Sequence, residues 1–108
     1  MWSEIEAYAA SLGGVVASSS YGEPSLKIGK ALLTRLRVSD NSAVLKSVDC
    51  DERGELILAR PDIYFVEDHY VGHDIVLVRL DHAELGDVAP YIYRAWTRLA
   101  GKRARHGH

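Results

Sequence analysis

Three segments of the chain repeat apolar residues at the spacing of an amphipathic α-helix. The first covers about residues 4–12. The second follows Asp49 and Glu52, which form the pattern of a capping box, and it ends at the Pro61 step. The third covers about residues 87–100 and carries an apolar stripe beside a basic one. The pattern therefore predicts one helix at the start, one in the middle and one at the end of the chain.

Between these helices, apolar and β-branched residues alternate with polar ones as they do in strands. The predicted strands are a hairpin over 25–38 that turns at Gly29-Lys30, a third strand over 43–48, and an antiparallel pair over 63–67 and 74–80. The segment 15–25 is rich in turn residues, and Pro24 argues against a central strand there. The order α-β-β-β-α-β-β-α predicts an α+β fold, a two-layer domain in which three helices cover one face of a five-stranded antiparallel sheet.

The first hairpin has two alternative registers, which place Lys27 differently. A strict two-residue turn sets Lys27 opposite Leu32. A bulged three-residue turn puts Lys27 on the face that carries Arg35 and Arg37. Both registers stay open at the level of the sequence.

The chain has the length and composition of one globular domain. Its 108 residues are 47% hydrophobic, and 13 basic residues stand against 15 acidic ones, so the overall charge identifies no partner. We place a single domain at 1–101 and a basic, disordered tail at 102–108. A single cysteine excludes an internal disulfide, and no apolar stretch has the length of a membrane span. We therefore expect a cytoplasmic monomer without a membrane partner.

The loop before the last predicted strand carries the residues most suggestive of chemistry. His69 and His73 supply two nitrogen ligands, whereas a structural zinc needs four protein ligands and a catalytic zinc three. Cys50, at the start of the second helix, lacks a histidine partner at a recognisable spacing. An enzyme would need His69, Tyr70 and Cys50 to converge on one pocket. We predict no metal site, no cofactor and no catalytic constellation.

Basic residues are the remaining signal in the sequence. They occur along the predicted strands and on one stripe of the last helix, and residues 92–108 contain no acidic residue. The candidates for phosphate contacts are Lys27, Lys30, Arg35, Arg37, Arg79, Arg94, Arg98 and Lys102. In a chain with a net charge of -2, a solvated surface explains the same residues, and composition alone favours that interpretation.

Three stretches of the chain form a recognisable pattern: YGEPSLKIGK at 21–30, DIYFVEDHYVGHDIVLVRL at 62–80 and Ala95-Trp96 in the last helix. Through these stretches most of the chain, residues 3–103, resembles the MmcQ/YjbR-like family of small bacterial proteins. The residues that match the family pattern are Tyr21, Gly22, Pro24, Lys27, Gly29, Lys30, Asp68, His69, Tyr70 and Gly72. His73-Asp74 departs from the family, which usually has Tyr-Pro there. The resemblance implies a two-layer fold similar to CyaY and to secretion chaperones.

The resemblance also implies a DNA-binding role, in a double-wing arrangement whose wings are the two hairpins. Under this hypothesis the hairpin tips at 27–30 and 69–73 approach the duplex, and basic side chains neutralise phosphates with little sequence readout. The alternative, from a different class, is a protein-interaction or chaperone-like module whose sheet face or edge strand receives a partner. A continuous positive surface that joins the hairpins would favour DNA, whereas an exposed apolar patch would favour a protein partner.

Overall fold

The structure is a computed structural model, which describes the backbone of residues 1–106 and the side chains of residues 1–101. The helices are α1 (Trp2–Leu12), α2 (Cys50–Ala59) and α3 (Ala89–His106). The strands are β1 (Val15–Ser20), β2 (Glu23–Ile28), β3 (Ala31–Arg37), β4 (Ser42–Lys46), β5 (Tyr64–Phe65) and β6 (Ile75–Arg79). Short 3-10 helices occupy Asp68–Tyr70 and Leu85–Asp87.

The strands form one sheet in the order β1-β2-β3-β4-β6-β5, and each neighbouring pair is antiparallel. The predicted α+β class, with three helices and an antiparallel sheet, is confirmed. The predicted count of five strands and the element order are wrong, because the segment 15–25, predicted to be turn-rich, contains β1 and the start of β2. β1 ends in three consecutive serines and has no clear alternation of apolar and polar residues, so the usual strand signal is missing.

Pro24, which argued against a strand, lies within β2 without disturbing the sheet. It is paired with Ser19 of β1, and the ladder between β2 and β3 begins one residue later, at Ser25 and Arg35. A proline lacks the backbone donor that a central strand needs, and at this position no ladder to β3 requires that donor. The β1–β2 hairpin turns at Tyr21-Gly22, where both residues have positive φ values of 53° and 78°, as a type I′ turn requires.

One face of the sheet packs against the helices. The strand residues of this core are Leu26, Leu33, Ala43, Leu45, Tyr64, Val76 and Val78. Ile5 of α1 and Ile92 of α3 belong to the same core, and Leu56 of α2 packs against it. Val44 and Leu77 are cross-strand partners that are also buried, but they lie outside this core on the opposite face. Something other than the helices must therefore cover that second face.

A β-bulge decides the position of Lys27. The turn between β2 and β3 has two residues, so Lys27 lies opposite Leu32, as the first of the two registers requires. The register then shifts at Leu26/Lys27, because β3 has one residue more than β2 at this point. Beyond the shift, Ser25 pairs with Arg35. Ser25 and Lys27 are two residues apart in β2, so both side chains lie on the face that carries Arg35. The two-residue turn of the first register and the shared face of the second are therefore both present.

The remaining elements differ from the prediction mainly in their ends. α2 begins after Asp49, whose side chain accepts a hydrogen bond from the Glu52 backbone N–H at 2.9 Å, so Asp49 is the N-cap. The Glu52 carboxylate binds Arg94 instead of completing the predicted capping box. β5 and β6 pair as predicted, but β5 has only two residues and the connection over 66–74 is long. α3 runs beyond residue 100, where the helix was predicted to end. Side chains of the basic tail at 102–108 lie outside the described part of the chain, and the tail stays a prediction.

Candidate nucleic-acid interface

Two arginines of β3 are bound to acidic side chains. Arg35 contacts Glu23 at 2.6 Å between Nη1 and Oε1, and its Nη2 donates to the Tyr70 hydroxyl at 2.7 Å. Arg37 contacts Glu67 at 2.7 Å and Asp40 at 3.1 Å. Burial alone would lower the pKa of Arg37, but the hydrogen bond with Glu67 and the charge of Asp40 outweigh it and raise that pKa. Both guanidinium groups are thus engaged within the protein.

The acids and hydroxyl that bind these arginines include residues of the connection over 66–74. Glu67 and Tyr70 reach from this connection to β3, so the connection lies over the sheet face opposite the helices. This position explains why Val44 and Leu77 are buried at 2% and 0% exposure on that face. The segment that the sequence suggested as a second DNA-contacting hairpin tip is folded back on the sheet.

Arg53 of α2 fixes the same connection from its other side. Its side chain is buried, and its guanidinium group donates to the backbone carbonyls of Val71 at 3.0 Å, His73 at 2.9 Å and Ile75 at 3.0 Å. A guanidinium group offers five donors in a planar fork, which suits several carbonyls at once. No sequence-based argument singled out Arg53. The signal available was its helical spacing of three and four to Leu56 and Ile57, which places an arginine on the apolar side of α2.

Arg94 and Arg79 also contact neighbouring groups within the protein. Arg94 makes two hydrogen bonds to the carboxylate of Glu52, at 2.5 and 2.9 Å, and the hydrogen bond with Glu52 raises the pKa of Arg94. Arg79 lies over the ring of Phe65, with 4.1 Å between its guanidinium carbon and the ring centroid, and it donates to the Pro61 carbonyl at 3.2 Å. Four of the eight candidates for phosphate contact are therefore held by neighbours within the fold.

Four other cations form no ion pair with an acid among the side chains of residues 1–101. They are Lys27, Lys30, Lys46 and Arg98. Lys30 and Arg98 are exposed and the other two are partly exposed. Lys46 was not among the eight candidates, although it is a basic residue of a predicted strand. Lys102, the remaining candidate, has a side chain outside the described part of the chain.

These four cations lie at one end of the sheet, which we call the turn end because the Gly29-Lys30 turn joins β2 to β3 there. Lys27 lies two residues before Gly29. Thr34 of β3 pairs with Leu45 of β4, and the strands are antiparallel, so Lys46 lies one residue further toward this turn.

The helix layer reaches the same end of the sheet through α3. Arg98 makes a long hydrogen bond of 3.5 Å to the carbonyl of Ser47, the residue next to Lys46. Acidic residues also approach, since Asp49 and Asp51 stand at the start of α2, but the carboxylate of Asp49 is used as the helix cap. The turn end therefore combines residues from β2, β4, a turn and α3.

The remaining residues of the family pattern are dispersed. Tyr21 is 98% exposed at the β1–β2 turn, far along the chain from His69. His69 is exposed, and its ring is tilted by 38° to the ring of Tyr70, with 4.1 Å between the centroids. Asp68 opens the 3-10 helix and accepts a hydrogen bond from the Val71 backbone N–H at its carbonyl. Gly22, Gly29 and Gly72 lie in turns, and Pro24 lies in β2.

The residues considered for metal or enzyme chemistry are not brought together. Among the described residues, no group of three or more His, Cys, Asp or Glu side chains is arranged to hold a metal ion. Cys50 is exposed, and its one hydrogen-bond contact is a long one of 3.9 Å to Asp51. No described contact joins Cys50 to His69 or Tyr70. Within the described residues, no helix is both long and apolar enough to cross a membrane.

Comparison with known proteins adds distant bacterial relatives. Proteins described as uncharacterized, Rv2570 and MT2646 from Mycobacterium tuberculosis and Mb2600 from Mycobacterium bovis, are 27% identical to this chain over 109 residues. The similarity covers 85% of this chain and 84% of each relative. No protein-family model matches the chain, and no solved structure matches it. The chain is thus similar, over most of its length, to mycobacterial proteins of comparable size.

Proposed function

We propose that the protein binds nucleic acid with little sequence preference and that the turn end of the sheet is its contact surface. The observation that supports this proposal is the set of cations without an acidic partner there, namely Lys27, Lys30, Lys46 and Arg98. Each can replace a counterion on a phosphate without first breaking an ion pair within the protein. The resemblance to the MmcQ/YjbR-like family is part of the same proposal, as is a cytoplasmic location.

The sequence of α3 after Arg98 is also basic. α3 continues past Arg98 to His106, and the stretch 102–106 contains three basic residues and no acidic one. The proposed surface is therefore formed by the β2–β3 hairpin, the end of β4 and α3 at Arg98.

We restrict the double-wing hypothesis to a single wing. The β2–β3 turn at Gly29-Lys30 is a two-residue turn whose residues are exposed, so it is accessible to a duplex. The connection over 66–74 is held down by Arg53 and Arg35, so we leave it out of the interface. Lysines recognise phosphates as point charges, and a surface with three lysines and one arginine gives affinity without reading bases.

A salt titration with charge variants tests the proposal. Fluorescence anisotropy of a labelled duplex, measured from about 50 mM salt upward, should give an affinity that falls steeply as salt rises. The double variant Lys27→Gln/Lys30→Gln should bind more weakly. The negative slope of log K against log salt should become shallower by about 0.9 for each phosphate contact removed.

The matched control is Arg60→Gln, which also removes an exposed positive charge but from an arginine that is paired with Asp62 at the end of α2. It should leave both the affinity and the salt slope unchanged. The proposal is wrong if the unmodified protein shows no binding at about 50 mM salt, where electrostatic affinity is strongest. It is also wrong if Arg60→Gln weakens binding as much as the double variant.

A further inference from the structure

The edge of the sheet formed by β1 has none of the protection that edge strands usually carry. Natural proteins block such edges with charged residues, prolines, bulges or very short strands. β1 has six residues, and the stretch 13–22 around it contains no charged residue and no proline. Val16 is 60% exposed and Tyr21, at the turn beyond the strand, is 98% exposed. The edge is therefore open to another strand.

The hairpin geometry shows which backbone groups of β1 are available. In a two-residue hairpin, the residues that flank the turn exchange backbone hydrogen bonds, so Ser20 faces Glu23 of β2 with both its N–H and its C=O. Alternate residues follow the same pattern, which leaves Val15, Ala17 and Ser19 with their backbone groups directed away from β2. Within the described residues, no other hydrogen bond uses the backbone groups of these three residues.

We propose that a second copy of this chain pairs with β1 through its own β1, antiparallel and about a two-fold axis at Ala17. The three residues with free backbone groups are spaced symmetrically about Ala17. Two copies of β1 can therefore pair Ala17 with Ala17, and Val15 with Ser19, with each pair exchanging both backbone hydrogen bonds. A two-fold axis makes such an interface self-complementary by construction. The pairing joins two six-stranded sheets into one continuous sheet.

The ends of β1 complement each other in this register. Pairing about Ala17 sets Tyr21 of one copy beside Gly13 of the other. A side chain built at Gly13 or Gly14 would meet no atom within 4 Å, so open space lies where the exposed Tyr21 ring arrives. Large aromatic side chains that are exposed on a monomer are typical anchors of protein interfaces. Tyr21 of each copy thus fills the open space beside Gly13 and Gly14 of the other copy, once at each end of the interface.

Charge favours a second copy over a peptide from another protein. Like charges that meet across paired strands destabilise the pairing, and a charged residue at the two-fold axis would meet its own copy. β1 pairs with itself without bringing any charged residue into the ladder. The sequence led us to expect a monomer, and the open β1 edge is the reason for replacing that expectation with a dimer.

Sedimentation equilibrium of the full chain tests this proposal. The unmodified protein should form a dimer whose fraction rises with concentration up to about 500 µM, as mass action requires. Ala17→Lys places two positive charges face to face at the two-fold axis and should raise the dimer dissociation constant at least about 10-fold, a loss of about 1.4 kcal/mol. Tyr21→Ala should weaken the dimer as well, by a smaller factor.

Two measurements separate this effect from a loss of folding. Ala59→Lys introduces the same charge at the exposed end of α2, and it should leave the dissociation constant unchanged. The thermal midpoint of a dilute sample should be the same for Ala17→Lys and Ala59→Lys, because both sites are exposed on the monomer. A monomer at every concentration up to about 500 µM overturns the proposal. Equal weakening by both lysine variants also overturns it.

Discussion

The molecule uses its cations in two different ways in two regions of the same sheet. Arg35 and Arg37, on the sheet face opposite the helices, and Arg53 of α2 are bound to acids, a hydroxyl and backbone carbonyls, and they hold a connection in place. At the turn end, the basic side chains have no acidic partner among the described side chains. The comparison teaches that a cation's surroundings, and not its presence in the sequence, decide whether it stabilises the fold or is free to bind a ligand.

The largest expected effect is on stability at Arg53. Arg53→Met keeps much of the side-chain length but leaves the carbonyls of Val71 and His73 without their charged donor. Losing hydrogen bonds to a buried charged group should lower the free energy of unfolding by about 3 kcal/mol. Urea denaturation measures this difference. Arg60→Met, at an exposed arginine paired with Asp62, is the control and should leave the urea midpoint unchanged.

The dependence of stability on alkaline pH tests the raised pKa of the buried Tyr64 hydroxyl. Burial raises its pKa to about 12 from an ordinary value of 10.0, and its hydroxyl donates to the Asp87 carbonyl. Above pH 10 the unfolded chain loses this proton while the folded protein keeps it, so the unfolded state binds fewer protons and stability falls as pH rises toward 12. The loss should approach about 2.7 kcal/mol, at about 1.36 kcal/mol for each pH unit.

Tyr64→Phe is the matched variant for this titration. It has no proton to lose, so its unfolding free energy should depend less on pH between 10 and 12 than that of the unmodified protein. Chemical denaturation at fixed pH values provides the comparison. Identical pH dependence in the two proteins would contradict the raised pKa of Tyr64.

A smaller effect is expected where Arg35 joins β3 to the connection over 66–74. Tyr70→Phe removes the hydroxyl that accepts from Arg35 and should destabilise the protein by about 1 kcal/mol. In a double-mutant cycle with Arg35→Met, most of this loss should appear as coupling between the two residues, because they share the contact. A coupling energy near zero would mean that this hydrogen bond does not hold the connection.

The smallest effect on stability is expected at the turn end. Lys30→Gln removes an exposed charge without a described partner, so the free energy of unfolding should change by less than about 0.5 kcal/mol. The same substitution should weaken duplex binding measurably. Lys30 is thus expected to affect binding more than stability, whereas Arg53 is expected to affect stability. A stability loss at Lys30 as large as that at Arg53 would remove the distinction between the two regions.

Local patterns in the sequence were sufficient for much of the fold. The capping pattern of Asp49 and Glu52 placed the start of α2, alternation placed β3, and runs of apolar and β-branched residues placed β4 and β6. These signals work because a cap or an alternating face is formed by residues close together in the chain. The same reasoning failed for β1, whose serines carry no alternation and whose strand is formed by pairing with β2.

The sequence by itself determined the α+β class, the three helices, most of the strands and the list of basic residues available for binding. Only the tertiary structure decided which of those residues are free. Arg35 reaches Tyr70 at a separation of 35 residues, and Arg94 reaches Glu52 at a separation of 42. The bulge that puts Lys27 on the same sheet face as Arg35 also depends on the register between β2 and β3. Contacts between distant residues leave no spacing in a single sequence, because the fold itself brings them together.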